Sequence, residues 1–164
     1  YFFYYWHKFI WYGELKEDKK LEDNNIKSNF QFIDSYITHS SMDIINRKKI
    51  ESTLELNIES RISEIKKKDN KLSAEMRLKN NIIVREKNTN KELTRIEVEM
   101  AGIFLANDMK EEEFIRYMKY SGAPLLSQSI RSYVMTITSL AGINMIRIPL
   151  INYIEFFKEN DKNK

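Results

Sequence analysis

The chain has 164 residues, a length typical of one domain, and 42% of them are hydrophobic and 31% charged, which supports a folded core and excludes outright disorder. It has no cysteine and two histidines, which excludes disulfides, thiolate nucleophiles and cysteine- or histidine-rich metal sites. With 4 glycines and 2 prolines it has no glycine-rich phosphate-binding loop, and its interleaved charges sum to only +3. We therefore expect no enzyme, no metal and no cofactor.

Residues 1–28 are predicted to be a flexible appendage to the folded domain. Residues 1–12 are aromatic (YFFYYWHKFIWY), and the charged run GELKEDKKLEDNNIKSN follows them. The aromatic stretch has two interpretations: an end without function, or an interfacial anchor, since Trp and Tyr favour the membrane boundary. No segment approaches the roughly 20 apolar residues of a transmembrane helix, and we expect a cytoplasmic protein without other membrane contact.

From residue 29 onward, apolar and polar residues alternate with the period of β-strands. The pattern predicts strands over residues 30–36, 53–62, 72–84 and 93–104. The links at 66–71 and 86–92 are short and polar, as hairpin loops are. The sequence therefore predicts a four-stranded antiparallel meander.

The period then changes to that of helices. Asp108 and three early glutamates predict a helix that ends at Gly122, and Pro124 fits the first turn of a second helix. The apolar face of the second helix is predicted at Leu126, Ile130, Tyr133, Val134, Ile137, Leu140 and Ala141. Gly142 ends it, and a short terminal helix precedes a charged tail at 159–164. Strands followed by two to three helices indicate an α+β domain with the helices packed on one face of the sheet.

In this order, several short motifs resemble those of the SecB family of protein-export chaperones. They are FQF at 30–32, AGIF at 101–104, GAPLL at 122–126 and IPLINY at 148–153, with Arg131 in the helix between the last two. The resemblance spans residues 29–158, and it depends on the order and spacing of motifs that are individually unspecific. The chain departs from the family at 127–130, where SecB proteins have aromatic-Pro-Tyr, and at Leu150, where they have a second proline.

The resemblance implies an ATP-independent holdase, which binds unfolded polypeptides and passes preproteins to the SecA translocase motor. Such a protein needs exposed apolar surface that adapts to many extended chains. Two apolar runs without clean periodicity are candidates for this groove: Met42, Ile44 and Ile45 after the first strand, and Ile143, Met145, Ile146 and Ile148 before the last helix. The alternative is that these side chains simply cover the core.

The resemblance also implies a homotetramer, a dimer of dimers. The first predicted helix carries Phe114, Tyr117 and Met118, which are candidates for its interface or for ordinary internal packing.

Carried over from the family, the acidic residues that dock the translocase motor fall on Asp43 and Glu97. Another family acid falls on His39, and an apolar neighbour falls on Arg95. The docking surface therefore differs from the family pattern at two positions.

Three further hypotheses remain open. A dedicated SecB-like chaperone would protect an antitoxin or another single client. A basic nucleic-acid-binding module is suggested by a pI of about 8.9 and by lysines at 66–68 and 71 together with Arg77 and Lys79, although the mixed charges make nucleic acid an improbable partner. Lastly, residues 1–12 are themselves client-like, so that they would compete for the groove.

Overall fold

The computed structural model describes residues 28–47 and 50–162. Its elements, in chain order, are β1 (Phe30–Ile44), β2 (Ser52–Ile62), β3 (Lys66–Lys68), β4 (Lys71–Glu86), β5 (Glu92–Asn107), α1 (Glu111–Tyr117), a π-helical turn (Met118–Gly122), α2 (Ala123–Leu140) and α3 (Tyr153–Lys162). Strands precede helices, so the predicted α+β class is confirmed. The aromatic residues 1–12 lie outside the described residues, and α3 extends into the predicted tail.

All strands pair antiparallel in the order β1-β5-β4-β2. β2 and β3 lie end to end along one edge of β4, since Ile62 pairs with Met76 and Lys66 with Ser73. The sheet is therefore four strands wide, although the loop predicted at 66–71 contains β3. The prediction of a simple meander is wrong: the chain crosses from β1 to the opposite edge of the sheet before β2, which gives a Greek-key order.

The edge strand β1 is longer than the sequence predicted. It continues to Ile44, so Met42 and Ile44 lie in this strand and not in the crossover. Two β-bulges, at 32–34 and 37–39, interrupt its pairing with β5, and a bulge adds an unpaired residue that reverses the alternation of faces. These reversals hide the period-two pattern beyond residue 36.

The hydrophobic core lies between the sheet and the helices. Every second residue of β4 and β5 points to the helices, and α2 supplies residues at helical spacing. Side chains of 0% exposure include Met76, Leu78, Ile82, Ile96, Val98, Phe104, Leu126, Ile130 and Val134. Asn80 lies among them with no hydrogen-bond partner for its side chain in the described residues.

The prediction that Gly122 ends the first helix is wrong. Gly122 has helical backbone angles, and the helical path continues from α1 through the π-helical turn into α2. A β-carbon on Gly122 would lie 2.8 Å from Cζ of Phe104, so glycine is required here for close packing. The wider turn also accommodates Pro124, which has no N–H to donate.

Gly142 ends α2, as predicted, and its φ of +70° suits glycine. Leu140, predicted on the buried face of α2, is 83% exposed in the last turn. The chain then continues without regular structure to α3, which packs Tyr153 and Phe157 into the core.

Candidate functional site

Two segments that are distant in sequence meet at one end of the sheet. The crossover segment (residues 45–51, of which 48 and 49 are not described) starts with the N–H groups of Ile45 and Asn46, which donate to the carbonyl of Leu93 at 2.9 and 3.0 Å. The connecting segment (residues 143–152) lies beside it. Between them is a pocket of about 150 Å³, whose lining includes Asn46, Arg47, Ile50, Leu54, Val84, Ile143, Met145, Ile146 and Arg147.

Two side chains of α2 fix the connecting segment. The buried hydroxyl of Thr138 accepts a hydrogen bond from the N–H of Ile146 at 3.2 Å, while it donates to carbonyls of its own helix. The guanidinium of Arg131 donates through Nε to the carbonyl of Ile148 at 2.9 Å. The segment is therefore held in one conformation, although it has no regular structure to satisfy its backbone groups.

The connecting segment alternates between core and surface. Ile146 and Ile148 are 7% and 1% exposed and belong to the core, so these two groove candidates are not surface residues in this chain. Met145 is 45% exposed, and Ile143 is half-buried. Two of the four predicted residues thus remain accessible, both in the lining of the pocket.

The candidates from the first run differ in exposure. Ile45 is 61% exposed at the start of the crossover segment. Met42 and Ile44 lie on β1 and are half-buried, and Met42 packs against the core. The accessible apolar residues of both runs therefore centre on Ile45 and Met145, at the end of the sheet where the crossover and connecting segments meet.

The three residues predicted for an oligomer interface separate in the same way. Phe114 and Met118 are 0% exposed and fill the core, as the alternative of ordinary internal packing expected. Tyr117 is 37% exposed and stacks on Phe30, with ring centroids 5.4 Å apart. Of the three, Tyr117 alone is accessible to a partner.

The face of the sheet opposite the helices carries a network of paired polar side chains. Tyr36 donates to Oε2 of Glu75 at 2.6 Å, and Arg77 bridges Glu75 and Glu99 at 2.6 and 3.5 Å. The hydroxyl of Thr38 donates to Glu99 at 2.6 Å. Burial and the hydrogen bond to Glu75 together raise the pKa of Tyr36 above its ordinary value.

The predicted docking residue Glu97 belongs to this outer face. Its Oε1 lies 3.0 Å from Nζ of Lys79 and 3.3 Å from Nε2 of His39, so its charge is already compensated within the chain. A partially exposed pair of this kind contributes little to stability, and it also weakens the attraction of Glu97 for a basic partner.

Asp43, the other docking candidate, is exposed and lies opposite Arg95 in the pairing of β1 with β5. Arg95 forms a bidentate ion pair with Glu92, both contacts at 2.9 Å, and this pair lowers the pKa of Glu92. Cations thus lie beside both predicted acids.

Sequence analysis missed four exposed apolar side chains on and around the helices. They are Leu125, Leu140, Leu150 and Ile154, with exposures of 46%, 83%, 83% and 53%. For Leu150 the sequence did contain an indication. Pro149 directly precedes it and is incompatible with a helix interior, so an irregular connecting segment is expected at Leu150. The others lie on helices where helical spacing alone does not separate core from surface.

Within residues 28–47 and 50–162, no cluster of three or more acidic or histidine side chains is placed to hold a metal ion. Nor is any helix in that part of the chain long and apolar enough to cross a membrane.

The family model described as "Preprotein translocase subunit SecB" matches residues 23–164. The chain belongs to the SecB family. Among solved structures this SecB protein is similar to the SecB-like chaperone Rv1957 of Mycobacterium tuberculosis, in complex with a ChAD peptide from the antitoxin Rv1956 HigA1. The TM-score is 0.61 at 16% identity, over 75% of this chain and 91% of that one.

A protein of unknown function from Streptococcus agalactiae is also similar, with a TM-score of 0.46 and 11% identity over 74% of this chain and 97% of that one. No curated protein sequence matches significantly. The family match confirms the resemblance to SecB, and the mycobacterial structure confirms a SecB-like fold. The chain is thus a member of a non-enzymatic chaperone family.

Proposed function

We propose that the chain is a cytoplasmic, ATP-independent holdase that binds unfolded polypeptides in the pocket between the crossover and connecting segments. The observation that carries the proposal is an exposed apolar side chain, Met145, in the lining of a pocket at the sheet end. Exposed Ile45 lies next in sequence to Asn46, which also lines the pocket. Arg47 and Arg147 line the same pocket, so its lining combines basic and apolar side chains.

The physical argument concerns what an unfolded chain exposes. Its apolar side chains gain about 25 cal/mol per Å² when they leave water, without any requirement for a particular sequence. Met145 is flexible and suits clients of many shapes, whereas the fixed backbone of the connecting segment keeps the pocket open. A partly apolar pocket beside a backbone that is hydrogen-bonded to α2 suits the binding of unfolded polypeptide.

The clients that we propose first are preproteins for export through SecA, as the family suggests. A dedicated client such as an antitoxin is the second candidate, because the docking surface is altered. Glu97 is paired with Lys79, and His39 and Arg95 stand where SecB proteins have an acid and an apolar residue. The mycobacterial SecB-like chaperone, which has a similar fold, is in complex with an antitoxin peptide, and this supports the second candidate.

We also propose a homotetramer. Arg131 is the one charged residue in the 18 residues of α2, and it is hydrogen-bonded within the chain. Leu125 is exposed on this sparsely charged helix and Tyr117 on α1, which suits a surface covered by another subunit. The edge strand β1 offers a second surface, since unpaired strand edges favour pairing.

The test is suppression of aggregation of an unfolded, reduced model protein by the purified chain without ATP, at two salt concentrations. We expect protection near stoichiometric ratios at both salt concentrations, because apolar burial is insensitive to screening. Protection that disappears at high salt would contradict apolar burial as the main interaction and would indicate electrostatic binding of the client. The nucleic-acid hypothesis is weakened at two of its basic residues, since Arg77 and Lys79 are ion-paired with acids of the sheet.

No protection by the folded chain would refute a general holdase. The dedicated-client hypothesis would then be tested with candidate antitoxins encoded nearby. Nucleic-acid binding would be tested in parallel by titration against salt.

A further inference from the structure

A second, smaller pocket lies on the other side of the connecting segment, between α2 and the start of α3. It has a volume of about 60 Å³, enough for one small polar group, and it is lined by Ser127, Gln128, Arg131, Leu150 and Tyr153, among others. None of these residues belongs to the pocket proposed above for clients.

Arg131 brings a positive charge to this pocket that no acid of the described residues neutralises. Its Nε donates to the carbonyl of Ile148, and one terminal nitrogen donates to Gln128 at 3.1 Å. A guanidinium has five N–H groups, so several remain for a further acceptor. The nearby acid Glu155 is instead paired with Lys158 at 3.1 Å.

Tyr153 adds a buried hydroxyl beside that of Ser127. Its side chain is 5% exposed, and its hydroxyl forms no hydrogen bond of ordinary geometry with a described residue. Burial raises the pKa of Tyr153, while the nearby Ser127 hydroxyl partly offsets the rise. The hydroxyl therefore keeps its proton at neutral pH, and a buried hydroxyl without a partner costs free energy until an acceptor reaches it.

A cation with free donors, a buried hydroxyl and a small volume together match a carboxylate. We propose that this pocket binds the carboxylate of an aspartate or glutamate side chain on a bound polypeptide. The proposal rests on the proposed function and deepens it, since it adds a polar requirement to an otherwise apolar recognition. Leu150 lines the pocket and is 83% exposed, so the acid is expected next to an apolar residue of the client.

The test uses two extended apolar peptides that differ only by a central Glu or Gln, bound to the full chain and followed by fluorescence anisotropy. Wild type should bind the Glu peptide about tenfold more tightly, as expected for charge-assisted hydrogen bonds. In Tyr153→Phe this preference should fall to about threefold, with the Gln peptide unaffected, since one neutral donor is lost. The matched control Tyr133→Phe removes a hydroxyl that bonds Ser40 elsewhere, and it should keep the full preference.

Equal binding of both peptides by wild type would overturn the carboxylate site and leave the holdase intact. A preference that survives in Tyr153→Phe would also overturn it. If that variant instead changes only the sedimentation coefficient, the acid belongs to a second copy of the chain, which contradicts a client site. If neither peptide binds, the proposed function fails and this inference fails with it.

Discussion

The two faces of the sheet are built from alternate residues of the same strands, but helices cover one face and leave the other uncovered. On the helix-covered face, Ile82, Ile96 and Val98 are fully buried under α2. On the bare face, Glu75 and Glu97 are paired with cations of the sheet itself. Several exposed apolar side chains lie away from both of these central regions, among them Ile45 and Met145 at one end of the sheet and Leu150 in the connecting segment. The two pockets adjoin these segments.

The largest effect on stability is expected within the connecting segment, where buried and exposed residues alternate. Ile148→Ala should lower the free energy of unfolding by about 3 kcal/mol, because it leaves a cavity in the core. Leu150→Ala, two residues later and 83% exposed, should change it by less than about 0.5 kcal/mol. Urea unfolding measures both, and equal losses would contradict the alternation of the connecting segment between core and surface.

An intermediate effect of opposite sign is expected at Asn80. Replacing this buried, unpartnered side chain in Asn80→Val should raise the stability by about 1 kcal/mol, because the desolvation cost of its amide disappears. Asn81→Val, on the outer face of the same strand, should change stability by less than about 0.5 kcal/mol. A clear loss in Asn80→Val alone would mean that Asn80 is hydrogen-bonded in the native protein.

The smallest effect concerns the outer face and alkaline pH. The pKa of Tyr36 is raised above its ordinary value of 10.0, so the folded state retains a proton that the unfolded state loses. The associated stability is fully present below pH 10 and is lost as pH rises further. Unfolding at pH 8 and pH 11 should show a smaller loss in Tyr36→Phe than in wild type. Equal losses of stability in wild type and Tyr36→Phe would mean that Tyr36 does not contribute and that other groups, such as lysines, cause the decline.

The sequence predicted those parts of the fold that depend on local periodicity. β2, β4 and β5 alternate over most of their length, so their faces and approximate bounds followed directly. β1 did not, because its bulges interrupt the alternation and its pairing with β5 joins residues as distant as Ser40 and Val98. Gly122 was misassigned because its role, the close approach of Phe104, is tertiary.

The candidate sites were predicted only in part for the same reason. The second apolar run indicated the connecting segment, whereas no residue of the first run lines the pocket. In the connecting segment, Ile146 points to the core and Met145 to the surface. This arrangement depends on hydrogen bonds from Thr138 and Arg131, which belong to α2 and are distant in sequence. The second pocket gave no signal, since its donors come from α2 and α3 and meet only in the folded chain.

The most direct test of the central claim, that polypeptide binds between the crossover and connecting segments, is the affinity of the chain for an unfolded, reduced polypeptide by isothermal titration. Met145→Asp places a charge in the pocket, and we expect it to weaken binding at least about tenfold through lost apolar burial. Asn57→Asp adds the same charge on the outer face and should leave the affinity unchanged. Equal affinities for wild type and Met145→Asp, with both proteins folded, would contradict the account.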